Sequence, residues 1–230
     1  MKYKIQFILL FMSLHYFSFT QEEIPLNNPI YDNQAYHFGF TLGLSHTKFS
    51  INYSELFNNE NGIDQILSKY EPGFNVGIIL DLRITENTNF RVTPSFNFTD
   101  YKIYYTNNNI ETTRPKNSTG ISSFELPIYL KYRSDRINNG RTYLLLGGNF
   151  IIDMGSIEQL TVASDLQFKK INYSIDIGWG VDIYFAYFKF SPEIKYSYGL
   201  HNILVNQDNI YSNMIERLST RAILISLTFE

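Results

Sequence analysis

Between Ile171 and Ile183 the chain alternates without a break. Ile171, Tyr173, Ile175, Ile177, Trp179, Val181 and Ile183 are large and apolar, while Asn172, Ser174, Asp176, Gly178, Gly180 and Asp182 are small or charged. A period of two puts these sets on opposite faces of a β-strand. Strands of soluble sandwiches run about 5–6 residues, whereas a tilted strand needs about 9–11 to cross a bilayer. The length of this segment, with bulk on one face and glycines and carboxylates on the other, predicts an apolar outside against lipid and a narrow polar inside.

The pattern recurs along the chain. In Tyr36–Phe49, Phe38, Phe40, Leu42 and Leu44 oppose His37, Gly39, Thr41, Gly43 and Ser45. In Gly73–Ile84, Phe74, Val76, Ile78, Leu80, Leu82 and Ile84 oppose Asn75, Gly77, Asp81 and Arg83. Asn89–Tyr105 sets Phe90, Val92, Phe96 and Phe98 against Arg91, Thr93, Ser95 and Asn97, and its phase is lost after Asp100, as at a bulge or loop start. Ile121–Arg133 sets Phe124, Leu126, Ile128, Leu130 and Tyr132 against Ser123, Glu125, Lys131 and Arg133. Thr142–Asp153 is apolar on both faces, so alternation leaves its register open. In Tyr187–Leu200, Phe188, Phe190, Ile194, Tyr196 and Tyr198 oppose Lys189, Ser191, Glu193, Lys195 and Gly199, and in Arg217–Glu230, Ile223, Ile225, Leu227 and Phe229 oppose Thr220, Ser226 and Thr228.

Eight such strands, counting the one at 171–183, predict an all-β fold: an eight-stranded antiparallel transmembrane β-barrel of the outer-membrane type. Connection lengths agree. Residues 85–88, 134–141 and 184–187 are short links, and 49–72, 106–120, 154–168 and 201–217 are long ones. Outer-membrane barrels alternate short periplasmic turns with long extracellular loops in this order, and keep both termini in the periplasm. Glu60–Tyr70 in the first long link has the composition of a short helix.

Composition bears on this in three ways. The mean hydropathy of −0.18 suggests a soluble chain, but opposite faces cancel in that average for a barrel. Aromatic residues make up 17 %, nearly all Tyr and Phe, which suits strands and interfacial girdles. Tyr101, Tyr104, Tyr105, Tyr129, Tyr196, Tyr198 and Tyr211 read as interface markers. A net charge of −3 without a basic stripe argues against a nucleic-acid partner. The absence of cysteine removes disulfides, thiolate metal sites and a lipoprotein-type N-terminal cysteine.

The N-terminus reads as a secretory signal over residues 1–20. Lys2 and Lys4 precede an apolar run from Ile5 to Phe17 that is broken by Gln6, Ser13 and His15, and Ser18 and Thr20 stand at −3 and −1 before Gln21. The run is too short and too polar for a retained anchor. Residues 21–35 then form a flexible periplasmic lead, and 36–230 the barrel. No later run of about 18 apolar residues exists to make a transmembrane helix.

Candidate chemistry lies on the inward face: Asp81, Glu125, Asp176, Asp182 and Glu193 against Arg83, Arg91, Lys131, Arg133, Lys189 and Lys195. An eight-strand bore is only wide enough for side chains to fill. Buried charges must be paired, so this set predicts an internal ion-pair network that plugs the lumen, in preference to a proton or ion path. Asp176 and Asp182 share a face but stand about 20 Å apart, too far for a glycosidase pair. The four histidines (His15, His37, His46 and His201) show no ligand spacing, so no metal and no cofactor are expected. A lipid-hydrolase pair of His201 with Ser197 or Ser212 is the catalytic alternative. No small-molecule substrate is indicated; the partners expected are outer-membrane lipids and other proteins.

Four blocks carry a resemblance. They are Glu71-Pro-Gly-Phe-Asn-Val-Gly-Ile-Ile-Leu-Asp-Leu-Arg83, Phe124-Glu-Leu-Pro-Ile-Tyr-Leu-Lys-Tyr132, Phe188-Lys-Phe-Ser-Pro-Glu-Ile-Lys195 and Thr220-Arg-Ala-Ile-Leu-Ile-Ser-Leu-Thr-Phe-Glu230. Together they are similar to the PorT/SprT outer-membrane β-barrel proteins of Bacteroidota, over most of residues 36–230. The Leu-Pro element is common to small outer-membrane barrels, and the last two blocks are closer to PorT. The resemblance implies a non-enzymatic role in the type IX secretion system, in protein export and in some bacteria gliding motility, with other secretion-machinery proteins as partners. It carries over no catalytic residue. A small barrel for adhesion or envelope stability is the alternative, and a lipid-modifying enzyme a more distant one.

Overall fold

The structure, a computed structural model, describes residues 25–55, 57, 63–100, 102–107, 110–114, 121–154, 166–206 and 209–230. The signal segment expected at 1–20 lies outside them. In chain order the strands are β1 (Tyr36–Tyr53), β2 (Gln65–Leu67), β3 (Glu71–Arg83), β4 (Thr88–Val92), β5 (Ser95–Thr99), β6 (Ile103–Asn107) and β7 (Ile110–Arg114). They continue with β8 (Ile121–Arg133), β9 (Gly140–Asp153), β10 (Ile171–Tyr184), β11 (Lys189–Gly199) and β12 (Ile215–Phe229). A 3-10 turn covers Tyr31–Asn33 and a single helical turn, α1, covers Ile210–Asn213.

The long strands close a ring. β1 pairs with β3, β3 with β4 and β5, these with β8, and the order continues through β9, β10, β11 and β12 back to β1. Every pairing is antiparallel, and Phe40 opposite Phe229 closes the circle. Because β4 and β5 are one strand interrupted at Thr93–Pro94, the ring has eight strands. Closure leaves no row of unpaired amides, a requirement in hydrocarbon, where no water can satisfy them.

Proline explains the interruption. Pro94 has no N–H to give. Its carbonyl still accepts from the Ile78 amide (3.0 Å), and the Thr93 amide donates to the Pro127 carbonyl (3.1 Å). The ladder is therefore bridged, and Arg91, Thr93, Ser95 and Asn97 all stay buried on the inner side. The strand expected over Asn89–Tyr105 ends at Thr99; Ile103 already belongs to another sheet.

Alternation also settles β9, whose register the sequence left open. Arg141, Tyr143, Leu145 and Asn149 point inward, while Leu144 and Leu146 face out. The ring of Tyr143 lies where a side chain on Gly180 would stand, and the Lys195 chain lies where one on Gly178 would stand. The glycines of β10 thus make room for bulk supplied by its neighbours.

At the long-loop end the fold adds a cap. β2, β6 and β7 form a separate three-stranded sheet. Ile66, Ile103 and Tyr105 of this sheet pack with Phe49, Leu204, Met214, Ile215 and Leu218 in a buried apolar cluster. The helix expected around Glu60–Tyr70 is instead strand β2 at 65–67, because Ile66 is drawn into that cluster and its neighbours pair with Tyr104 and Thr106.

The short turns and both ends of the described chain gather at the opposite end. There the segment expected as a flexible lead makes contacts from Pro25 onward, whose carbonyl accepts from the Asn139 side-chain amide (3.2 Å). Tyr31 is buried, stacks on His37 at 3.9 Å between ring centroids, and donates to Glu230 (2.8 Å). The lead is held because it supplies side chains that fill the mouth of the barrel.

Candidate functional site

Inward positions of six strands converge on one connected set of charges in the half of the lumen nearer the short turns. Its centre is Arg91 of β4, fully buried, whose guanidinium meets Asp81 of β3 (2.7 Å), Glu193 of β11 (2.6 Å) and Glu230 beyond β12 (2.6 Å). The Asn89 amide also donates to Asp81. Glu193 takes further bonds from Lys195 (3.0 Å) and the Tyr143 hydroxyl (2.7 Å). Glu230 is shared with Lys189 (2.9 Å).

A second centre forms around Asp182 of β10, which has no exposed surface. Lys131 of β8 (3.0 Å) and Arg141 of β9 (3.2 Å) bind it, Lys189 stands at 3.8 Å, and the Ser191 hydroxyl donates at 2.7 Å. Lys131 also sits 3.7 Å over the face of Tyr143. Charge-assisted bonds of this kind offset desolvation only when each member is satisfied, as here.

Toward the long loops the lumen carboxylates Glu125 and Asp176 have no ion-pair partner among the described residues. Asp176 accepts from Tyr129 and Ser174 (both 2.8 Å). Glu125 accepts from the amides of Asn97 and Asn149 (both 2.9 Å). Of the eleven charged residues expected in the network, Asp81, Arg91, Lys131, Asp182, Lys189, Glu193 and Lys195 join it as ion pairs. Glu125 and Asp176 line the same bore but are held by amides and hydroxyls.

Arg83 and Arg133 belong to the rim. Arg83 donates to the carbonyls of Asp32 (2.5 Å) and Thr85 (3.4 Å), with no ion pair among the described residues. Arg133 donates to the Glu86 carbonyl (2.9 Å), stands 3.9 Å from Asp32, and has an unpartnered Nε. They face the mouth because the inner faces of β3 and β8 reach the rim at these positions.

Several contributors were not foreseen. Asp32 in the lead gathers Arg141 (2.5 Å), Arg136 (3.2 Å) and the Tyr184 hydroxyl (3.1 Å). Its burial raises the carboxyl, but the Arg141 charge and the bonds from Arg136, Arg141 and Tyr184 outweigh that and hold it below the usual carboxylate range. Arg141 fell at the end of the link expected at 134–141, one residue before the strand expected from Thr142, whereas β9 begins at Gly140. Glu230 continues the inward parity of Ser226 and Thr228, a readable cue. Tyr129, taken for an interface marker, shares inward parity with Glu125 and Lys131 and packs with Tyr143 and Leu145 inside the bore. Tyr105, read the same way, is buried in the cap.

The catalytic alternative does not assemble. Ser197 points into the lumen and donates to Ser174 (2.9 Å), and Ser212 bonds with Asn209 in α1. His201 lies edge-on to the outward ring of Tyr173 and hydrogen-bonds to neither serine. His37 and His46 stand on opposite faces of β1.

Three outcomes follow. Arg91→Ala leaves three buried carboxylates without their shared cation and destabilises the barrel by about 3–5 kcal/mol, read from its unfolding in denaturant. A filled bore conducts almost nothing, so planar bilayers show no stable single-channel steps; a steady open pore would contradict the packing. For Asp32 the folded pKa is depressed, so its stabilisation is present above the unfolded value near 4 and is lost as pH falls through the folded one. Asp32→Asn then costs about 1 kcal/mol at neutral pH, since the carboxylate is partly solvated. The gap from wild type closes in acid, and an equal gap at pH 7 and pH 3 would remove the claim.

Comparison with known proteins gives the same architecture. A family model described as "Outer membrane protein beta-barrel domain" matches residues 19–205. No curated protein matches the sequence. Among solved structures the chain is similar to Neisserial surface protein A, at 15 % identity and a TM-score of 0.41, covering 85 % of this chain and 98 % of that one. It is also similar to OprG of Pseudomonas aeruginosa (11 %, TM-score 0.43, 84 % and 92 %) and to Ail, the attachment invasion locus protein of Yersinia pestis (11 %, TM-score 0.39, 85 % and 98 %). With the family model matching most of its length, this chain belongs to the β-barrel domain family of outer-membrane proteins.

Proposed function

We propose that this outer-membrane barrel is a non-enzymatic component of the type IX protein secretion system. The observation that carries the reading is the resemblance of the Phe188–Lys195 and Thr220–Glu230 blocks, in that order, to the PorT/SprT proteins. Both blocks hold working parts of the lumen: Lys189, Glu193 and Lys195 in the first and Glu230 in the second. Charge pairs fill one half of the bore, and the apolar cap covers the other end. Such a barrel cannot pass folded cargo. Its contribution is therefore to hold partner proteins by its loops, its periplasmic turns or its lipid-facing wall.

A second reading has its own support. The three-stranded sheet of the cap is an ordered platform on the long-loop side, the side that faces the medium in this architecture, and suits a barrel for adhesion or envelope stability. A clean deletion separates the two. Loss of type IX cargo from the medium, with the outer membrane still impermeable to large antibiotics, is the expected result. Normal export in that strain would defeat the proposal, and normal export with altered surface binding would select the second reading.

A further inference from the structure

The outer wall carries one feature that neither barrel closure nor the lumen requires. Lys48 of β1 and Arg221 of β12 are direct partners in the antiparallel ladder, on the outward side. Like charges placed opposite one another destabilise a sheet. Among the described residues neither has an ion-pair partner. Lys48 rests over the ring of Tyr70 (4.6 Å) and Arg221 over that of Tyr198 (3.4 Å), while Arg221 Nη1 donates to the carbonyls of Gly199 and Thr220 (both 3.2 Å). Arg217, further up β12 and opposite Asn52, is tied to the Leu200 carbonyl (2.7 Å). Three cations are thus fixed on one flank by rings and carbonyls, with no carboxylate between the facing pair.

Their height on the wall identifies what they face. On β12 the outward residues Phe229, Leu227, Ile225 and Ile223 lead up to Arg221, and on β1 Phe38, Phe40, Leu42 and Leu44 lead up to His46 and Lys48. From Tyr36 to Lys48 the strand runs about 40 Å, or about 30 Å of height at the usual barrel tilt, which is one hydrocarbon thickness. The pair therefore stands where the apolar belt ends on the long-loop side. Tyr198 and Tyr70 beside it are amphipathic rings at home at such an interface. Toward the same end of the opposite flank, the outward residues Ser122, Ile152 and Ile171 carry no charge. Lys169 and Lys170, just before β10, are exposed cations at that end too, but Lys48 and Arg221 differ from them in facing one another on paired strands.

We propose that Lys48 and Arg221, with Arg217 above them, bind the phosphate of a glycolipid headgroup in the outer leaflet. The phosphate oxygens accept from the lysine ammonium and the guanidinium and relieve their mutual repulsion. The acyl chains lie along Leu42, Leu44, Ile223 and Ile225. This inference rests on the outer-membrane family and not on a role in secretion.

The test uses the full-length barrel in detergent, titrated in native mass spectrometry with monophosphoryl lipid A, its dephosphorylated form and inorganic phosphate. The phosphorylated lipid is retained and the other two are not. The double variant Lys48→Gln/Arg221→Gln, shown to be folded by its heat-modifiable migration, binds it about 25-fold more weakly, each cation contributing about fivefold. Equal retention of the dephosphorylated lipid by the wild-type protein overturns the proposal without recourse to any variant. So does unchanged binding by the folded double variant, or capture of free phosphate as tightly as of the lipid.

Discussion

The bore of an eight-strand ring admits side chains and little else, and the rest of the structure answers to that limit. Polar groups on the inner face cannot be left to water, so they must satisfy one another. Arg91 is where this is most demanding. One guanidinium holds three carboxylates that arrive from β3, from β11 and from the residue after β12. Asp81 is its direct partner across β3 and β4, but Glu193 and Glu230 lie far from it in the chain, so the arginine ties β4 to strands that the ladder joins to it only through intermediates. Glu230 matters most in this respect. A slip of β12 by one residue would turn Phe229 inward and remove Glu230 from both Arg91 and Lys189, so the network fixes the register of the strand that closes the barrel.

The molecule has two interiors of opposite kind. Near the short turns it is a lattice of ion pairs, and above the long-loop end it is an apolar cluster under a small sheet. Between them lie Tyr129, Tyr143 and Leu145, whose rings and methyls fill space while two hydroxyls reach Asp176 and Glu193. Tyrosine suits this position, since it packs as a hydrocarbon and still donates a hydrogen bond. Among the described residues, the side chains of these two interiors occupy the bore from both ends.

The ring was legible because alternation is set by the backbone and needs no knowledge of neighbours. Seven of the eleven charges foreseen inside meet as ion pairs for the same reason: parity alone put them there. What parity could not supply was partnership. Glu125 and Asp176 have the right parity but sit at a level where amides and hydroxyls are nearest. Arg83 and Arg133 have it too, but their inner faces open on the rim. Asp32 was out of reach of any strand pattern, since it enters the site from a 3-10 turn. The cap was missed because its members come from three separate segments read in different ways: Ile66 from a stretch with helix composition, Ile103 from the end of a strand that had lost its phase, and Leu204 from a long link.

The rim and the lumen are linked, yet the links are unequal. Asp32 binds Arg141, and Arg141 also binds Asp182, which keeps Lys131 and the Ser191 hydroxyl whatever happens to the lead. Releasing residues 25–33 would therefore strip a carboxylate from Arg136, Arg141 and Arg133 at a partly wet mouth, where guanidinium groups are readily hydrated. It would not uncover an unpaired charge at the middle of the bore. The lead and the charge lattice meet at two points, Asp32 with Arg141 and Tyr31 with Glu230. Release of the lead would also take the Tyr31 hydroxyl from Glu230 and its ring from His37, but Glu230 keeps Arg91 and Lys189, so the ring, which the membrane requires to stay closed, keeps the pairs that hold it.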